Sequence, residues 1–179
     1  KNWEIISPDQ FKDIVNSKNS KIRKKSILIT FDDAFKSQKI ITQKCLDPLN
    51  IKAIFFIVSD FVKLSSKQDA HKFIKKNFFK NYYEQYKINS ETNNMSLEDL
   101  GYLVSKGHTI GGHTKTHKQL SKIKDKNILI NEIIDSKKFL EYELRIKIED
   151  FAYTFGDLAS IDKFSVDIIM NNFNFLYSG

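Results

Sequence analysis

Two unbroken apolar runs constrain this chain more than any other feature: SILITF (26–31) and KAIFFIVSDFV (52–62), both rich in β-branched and aromatic residues. A strand that is apolar on both faces must be covered on both faces, the situation of a strand inside a parallel sheet. Between them, KSQKIITQKCLDPLN (36–50) reads as a helix that stops before Pro48. Strand, helix, strand is a βαβ unit, and it makes the two strands parallel.

The alternation continues. Ser7 precedes Pro8 and stands three residues before Gln10, the pattern of a capped helix start. Ser96 caps a helix predicted to run to Lys106, with Gly107 at its C-cap and a short strand at 108–110. Ile128, Ile130, Ile133, Ile134, Phe139, Leu140 and Leu144 recur with helical spacing across 125–144. EDFAYTFG (149–156) predicts a strand and turn, 160–173 a helix, and 174–178 the start of a last strand. Residues 64–94, rich in Lys and Asn with scattered Phe and Tyr, read as an irregular, partly helical insertion. The fold class is α/β, one domain over residues 1–179.

Composition narrows the function classes. The net charge is +7, but the lysines are spread along the chain and no nucleic-acid-binding motif accompanies them, so no nucleic-acid partner is expected. No apolar run approaches the roughly 18 residues a membrane-spanning helix needs. Cys45 is the only cysteine, which excludes an intrachain disulfide and leaves cytoplasm and cell envelope both open as compartments. The chain begins with Lys1 rather than Met, so a leader or anchor upstream is compatible with it.

The apolar run at 26–31 ends on two adjacent carboxylates, Asp32 and Asp33. Adjacent anions repel, and burying either is expensive without a partner or a metal. In parallel α/β folds, sites assemble at the carboxyl ends of strands. GGHTKTH (111–117) follows the predicted strand at 108–110 and carries His113 and His117, spaced by one helical turn so that both rings can face one point. Two imidazoles and a carboxylate with an open fourth position form a catalytic zinc ligand set. Taken singly, an Asp pair is most often a helix cap and His-x-x-x-His a surface accident; their convergence on strand ends of one sheet favours a site. His108, inside a strand, reads as structural.

These residues resemble the motifs of the polysaccharide deacetylases, the NodB-homology family. ITFDDAFKS resembles the first motif, TFDDG; GHTIGGHTKTHKQL resembles the second, His-Ser/Thr-x-x-His; and FAYTFG resembles a variant of the third. The resemblance implies an irregular, incomplete (β/α) barrel with a parallel inner sheet, and a hydrolase that removes acetyl groups from N-acetylated sugars of a glycan or cell-envelope polysaccharide. By the same resemblance Asp33, His113 and His117 would hold a divalent metal, zinc first, with cobalt or nickel as alternatives. Asp32 would be the general base, Thr114 would fix the histidine loop, and the Phe155 backbone N–H, with Tyr153 beside it, would serve the oxyanion and substrate. The partner would be an acetylated oligo- or polysaccharide.

Departures from the family pattern are Ala34 for glycine, Gly112 for serine, Ala152 for arginine and Thr154 for proline. The family's acid is a histidine on a later strand, and none follows His117, so the chain reads as C-terminally truncated or atypical. Two other readings compete: a degenerate glycan-binding scaffold of the same fold, and a phospho-receiver domain that would need Asp60 as its acceptor.

Overall fold

The computed structural model describes residues 3–17, 25–79 and 92–178. Five parallel strands, β3 (Thr30–Phe31), β4 (Ile54–Ile57), β5 (Thr109–Gly112), β6 (Asp150–Ala152) and β7 (Phe175–Tyr177), form one sheet in the order of the chain. β1 (Trp3–Ile6) and β2 (Lys25–Leu28) pair in parallel as a separate ribbon. Neighbouring strands that follow chain order, with helices in the crossovers, curl the sheet into an incomplete (β/α) barrel.

The apolar runs are cut differently from their appearance in sequence. The run at 26–31 changes partner at Ile29: β2 pairs with β1, β3 pairs with β4, and the Ile29 carbonyl accepts from the Ile54 amide at 3.1 Å. The run at 52–62 stops being a strand at Ile57, and SDFV winds into the single turn α3 (Ser59–Val62). Every residue of β4 is buried, and so are three of the four in α3. Full burial removes the alternation that would separate strand from helix.

The helices carry their predicted caps. Ser7 and Ser96 each complete a capping box, with Gln10 and Asp99, at the start of α1 (Pro8–Asn16) and α5 (Leu97–Ser105). The helix predicted at 36–50 is α2 (Lys36–Ile41), a π turn (Thr42–Leu46) and a 3-10 turn (Asp47–Leu49). Pro48 therefore lies inside the helical segment, in the first turn of the 3-10 piece, where its missing N–H is not required. Past α3 come α4 (Lys67–Phe73) and a π turn (Ile74–Phe78); residues 80–91 of the expected insertion lie outside the described residues. The 125–144 helix is α6 (Lys126–Ile130), a π turn (Asn131–Asp135) and α7 (Ser136–Leu144), and α8 (Lys163–Met170) precedes β7.

The main core lies between these helices and the outer face of the sheet, around Phe55, Ile57, Leu100, Leu103, Leu129, Ile133, Leu140 and Phe151. The inner face is filled by Ile54, Phe56, Ala152, Leu28 and Tyr177. Here Asp150 is buried and takes an ion pair from Lys12 of α1 at 2.7 Å and a hydrogen bond from the Tyr177 hydroxyl at 2.8 Å. His108 is structural: its Nδ1 accepts from the Ala53 amide at 3.2 Å, and its Nε2–H donates to Asp47 at 3.0 Å.

Gly111 of β5 sits directly against the Phe56 ring; a Cβ there would lie 2.6 Å from a ring carbon and 3.0 Å from the Asp150 carbonyl oxygen. Gly111→Ala therefore pushes Phe56 off its place inside the barrel. The expected loss is about 1–3 kcal/mol of folding free energy, read from urea denaturation with an unchanged m-value.

Candidate active site

At the end of β3 the chain turns within three residues. The Asp32 carbonyl accepts from the Ala34 amide at 3.0 Å across Asp33, whose φ is 77°. That is the positive-φ form of the γ-turn, rare and strained. Ala34 follows at φ 80° and is fully buried. An alanine in place of glycine is mild only at negative φ, and the observed angle adds roughly 1–2 kcal/mol of strain. Neighbouring backbone holds the turn in place: Met95 N–H donates to the Ala34 carbonyl at 2.8 Å, and Lys36 N–H to Asn93 at 2.7 Å. The Gln38 side-chain amide donates to the Asp32 carbonyl.

The two histidines arrive on a loop, not on a helix. The His113 amide extends the sheet by donating to Ile57 at 3.0 Å, and Thr114 and His117 then adopt φ of 64° and 62°. Five of the seven non-glycine residues with positive φ among the described residues, Asp33, Ala34, Thr114, His117 and Phe155, surround this one place. Backbone strain concentrated in this way marks a functional site.

Each ring is oriented by its far nitrogen. His113 Nδ1–H donates to the Ala152 carbonyl at 2.8 Å, and His117 Nδ1–H reaches the Asn77 carbonyl at 3.4 Å. Both Nε2 atoms, without protons in this tautomer, face Asp33 Oδ1 at 3.6 Å and 3.3 Å. Within the loop, Thr114 Oγ1 accepts from the His117 amide at 2.9 Å.

Glu132 is the support that sequence reasoning passed over. Its buried carboxylate accepts from the Lys115 amide (3.1 Å), the Thr116 amide (2.8 Å), the Thr116 hydroxyl (2.7 Å) and Lys118 Nζ (3.0 Å). Ser136, one turn on, donates to the Thr114 carbonyl at 3.1 Å. A signal existed: Leu129, Glu132, Ile133, Ser136 and Leu140 form one buried stripe, so two polar residues share the apolar face and require partners. Asn77 was missed as well, because it acts through its backbone carbonyl. Both Glu132 and Asn77 stand in π turns, which redirect a helix face by one residue and recur at functional sites.

The donor set fits a divalent cation. Ligand atoms about 2.1 Å from a tetrahedral centre lie about 3.4 Å apart. The observed separations from Asp33 Oδ1 bracket that value, and the three donor atoms all lie within 4.8 Å of one another. Asp33 Oδ1 is buried and accepts no hydrogen bond. Burial, with Asp32 beside it, pushes the Asp33 carboxyl up to about 7. Burial likewise lowers His113 to about 4 and, with His113 adding to it, His117 to about 3. The rings are thus neutral lone-pair donors around a carboxylate that has no cationic partner among the described residues. Asp32 stays exposed at the mouth, its pKa raised by partial desolvation.

These groups open onto a cleft of about 460 Å³, lined also by Thr30, Phe56, Tyr153, Phe155 and Tyr177. The Phe155 ring is 57% exposed and lies 4.9 Å from the His117 ring; its amide donates no hydrogen bond among the described residues. Tyr153 is buried beneath the cleft with its hydroxyl bonded to Ser165 at 2.7 Å, so it meets the site through its backbone and not its polar tip. Thr154, where the family has proline, donates its hydroxyl to the Lys118 carbonyl at 2.8 Å and ties this turn to the histidine loop. Asp60 lies in the first turn of α3, paired with Lys63 at 2.7 Å and outside this cleft, which leaves the phospho-receiver reading without an acceptor.

Fold and site together define an α/β-barrel protein with a three-donor cluster at the carboxyl ends of its strands. A family model described as polysaccharide deacetylase matches residues 19–166, and the chain belongs to that family. No curated protein matches it in sequence. Among solved structures it is similar to the Streptococcus pyogenes deacetylase PplD in complex with acetate, with a TM-score of 0.72 at 17% identity over 97% of this chain and 64% of that one. IcaB from Ammonifex degensii gives a TM-score of 0.72 at 17% identity, over 99% of this chain and 69% of that one. A polysaccharide deacetylase from Bacillus cereus gives 0.67 at 20% identity, over 98% of this chain and 45% of that one. The chain thus spans 64% and 45% of two of these relatives.

Removing the Glu132 carboxylate leaves two loop amides, the Thr116 hydroxyl and an ammonium without their acceptor. Glu132→Ala is expected to destabilise the fold by about 1–3 kcal/mol. Calorimetric titration with zinc is expected to show affinity weakened by about 10–100-fold, as for other supports of metal-ligating histidines.

Proposed function

We propose that this chain is a metal-dependent hydrolase that removes acetyl groups from the N-acetylated sugars of a glycan or cell-envelope polysaccharide. The observation that carries the reading is the convergence of Asp33 Oδ1, His113 Nε2 and His117 Nε2 around a buried oxygen with no hydrogen bond. Those three side chains would hold the cation. Two nitrogens and one oxygen suit zinc first, with cobalt or nickel tolerated by the same donors. When bound, the cation supplies Lewis acidity that polarises the acetyl carbonyl and acidifies water.

The remaining work falls to the chain's own groups. Asp32, not required as a ligand, takes the proton of the water that attacks the acetyl carbon. The uncommitted Phe155 amide supports the developing oxyanion, and Thr114 keeps His117 in place. Collapse breaks the C–N bond, releasing acetate and the sugar amine, and the proton held on Asp32 is the one the departing amine requires. Residues 1–179 act in this reading as one domain, with the part of 64–94 ahead of Phe79 walling the cleft through Asn77 and Phe78.

The competing reading is a glycan-binding scaffold of the same fold. Its support is Ala152 and Thr154, which stand where the family pattern has arginine and proline. Acetate release separates the two. His113→Ala is expected to abolish one-to-one zinc binding measured by metal analysis after dialysis; full retention refutes the ligand assignment. Asp32→Asn is expected to keep zinc and lower acetate release from acetylated chitooligomers by about 10²–10⁴-fold. Zinc-loaded wild type that releases no acetate from these oligomers favours the scaffold.

A further inference from the structure

A second cleft, of about 590 Å³, opens beside the first and shares with it Phe78, His117 and Phe155. Both volumes fall in the range of about 300–1,000 Å³ common to small-molecule sites. A chain of sugars seated at the three-donor cluster therefore has a continuous path into this neighbour. Among the described residues, the lysines lining it are Lys76, Lys118 and Lys122, and no Asp or Glu lines it.

The hydrogen-bonding capacity of this cleft is unequally spent. Thr116 donates its hydroxyl to Glu132 at 2.7 Å, Asn77 its side-chain amide to Phe73 at 3.0 Å, and Gln119 its own to Ala159 and Ser160 at 3.3 Å. Lys118 is paired with Glu132 at 3.0 Å. Lys76 and Lys122 are exposed and form no ion pair among the described residues. The cations lining the cleft that have no carboxylate partner among the described residues are therefore two ammonium groups, one from the turn after α4 and one from the 3-10 turn Leu120–Lys122. Hydroxyls of a neutral sugar offer such groups little, whereas a carboxylate or phosphate satisfies both and neutralises the field between them.

From this we infer that the lysine-lined cleft is a subsite for an anionic substituent of the glycan, a carboxylate or phosphate carried on a sugar adjoining the acetylated one, held by Lys76 and Lys122. The inference rests on the deacetylase reading for the placement of the acetylated sugar, but not for its test. Binding of a tetrasaccharide alternating N-acetylglucosamine and glucuronate is measured by calorimetry against binding of neutral N-acetylchitotetraose, with a phosphorylated chitotetraose as a third arm. Either anionic sugar is expected to bind about 3–10-fold more tightly than the neutral one at low salt, and the better of the two identifies the group. The preference is expected to vanish near 1 M salt, where the screening length falls to about 3 Å, and in the Lys76→Gln, Lys122→Gln double variant, whose substitutions are at the surface and leave the fold intact. Equal binding of all three sugars, or a preference that survives in the double variant, overturns the inference. Acetate released from the neutral oligomer is read in parallel. Release without charge discrimination sinks the subsite alone; charge discrimination without release sinks the deacetylase reading and leaves the subsite standing.

Discussion

Asp33 sits in a part of the molecule where a carboxylate is hard to keep. It is largely buried, it has a second aspartate immediately before it, and its inward oxygen accepts no hydrogen bond. Facing that oxygen are two neutral imidazoles with lone pairs turned toward it. Such a group destabilises the fold unless something positive occupies the space between the three donors. Much of the surrounding structure makes sense as the means of holding this unfavourable arrangement in one geometry.

The means are backbone strain and support from far along the chain. Asp33 and Ala34 lie at positive φ, and hydrogen bonds with the backbone at 93–95 and the side chain of Gln38 hold the turn on either side. The histidine loop is pinned on three sides: by α3, whose Ser59 and Asp60 amides donate to Thr114 and Lys115; by Glu132 and Ser136 on the following helix; and by Thr154 from the turn after β6. A substitution at any of these supports acts on the cluster without touching it. The same economy explains Thr154. Where a proline would stiffen the turn through its ring, the threonine does so with a hydroxyl bonded to the loop it faces.

The cleft also draws on a segment whose composition does not mark its role. The stretch at 64–94 reads as an irregular, partly helical insertion because it is polar. Its helical part nonetheless supplies the Asn77 carbonyl that orients His117 and the Phe78 ring packed 4.7 Å from it. A backbone carbonyl carries no side-chain signature, so nothing in the letters distinguishes Asn77 from its neighbours. Glu132 was different, since an acid in the stripe of Leu129, Ile133 and Leu140 is a visible anomaly once the helical phase is drawn.

From residue order alone came the parallel α/β architecture, the helix caps at Ser7 and Ser96, the structural role of His108, and the candidacy of Asp33, His113 and His117. These features are local: they depend on burial pattern, cap chemistry and the cost of placing charge at the end of an apolar strand. Tertiary structure alone decided where β2 hands over to β3, that His113 and His117 meet on a strained loop instead of a helical turn, and that Ala34 lies at positive φ. It also decided which distant groups hold the loop. The reason is physical: hydrogen-bond partners between segments tens of residues apart, and the backbone angles they enforce, are set by packing of the whole sheet and leave no trace in the spacing of side chains along the chain.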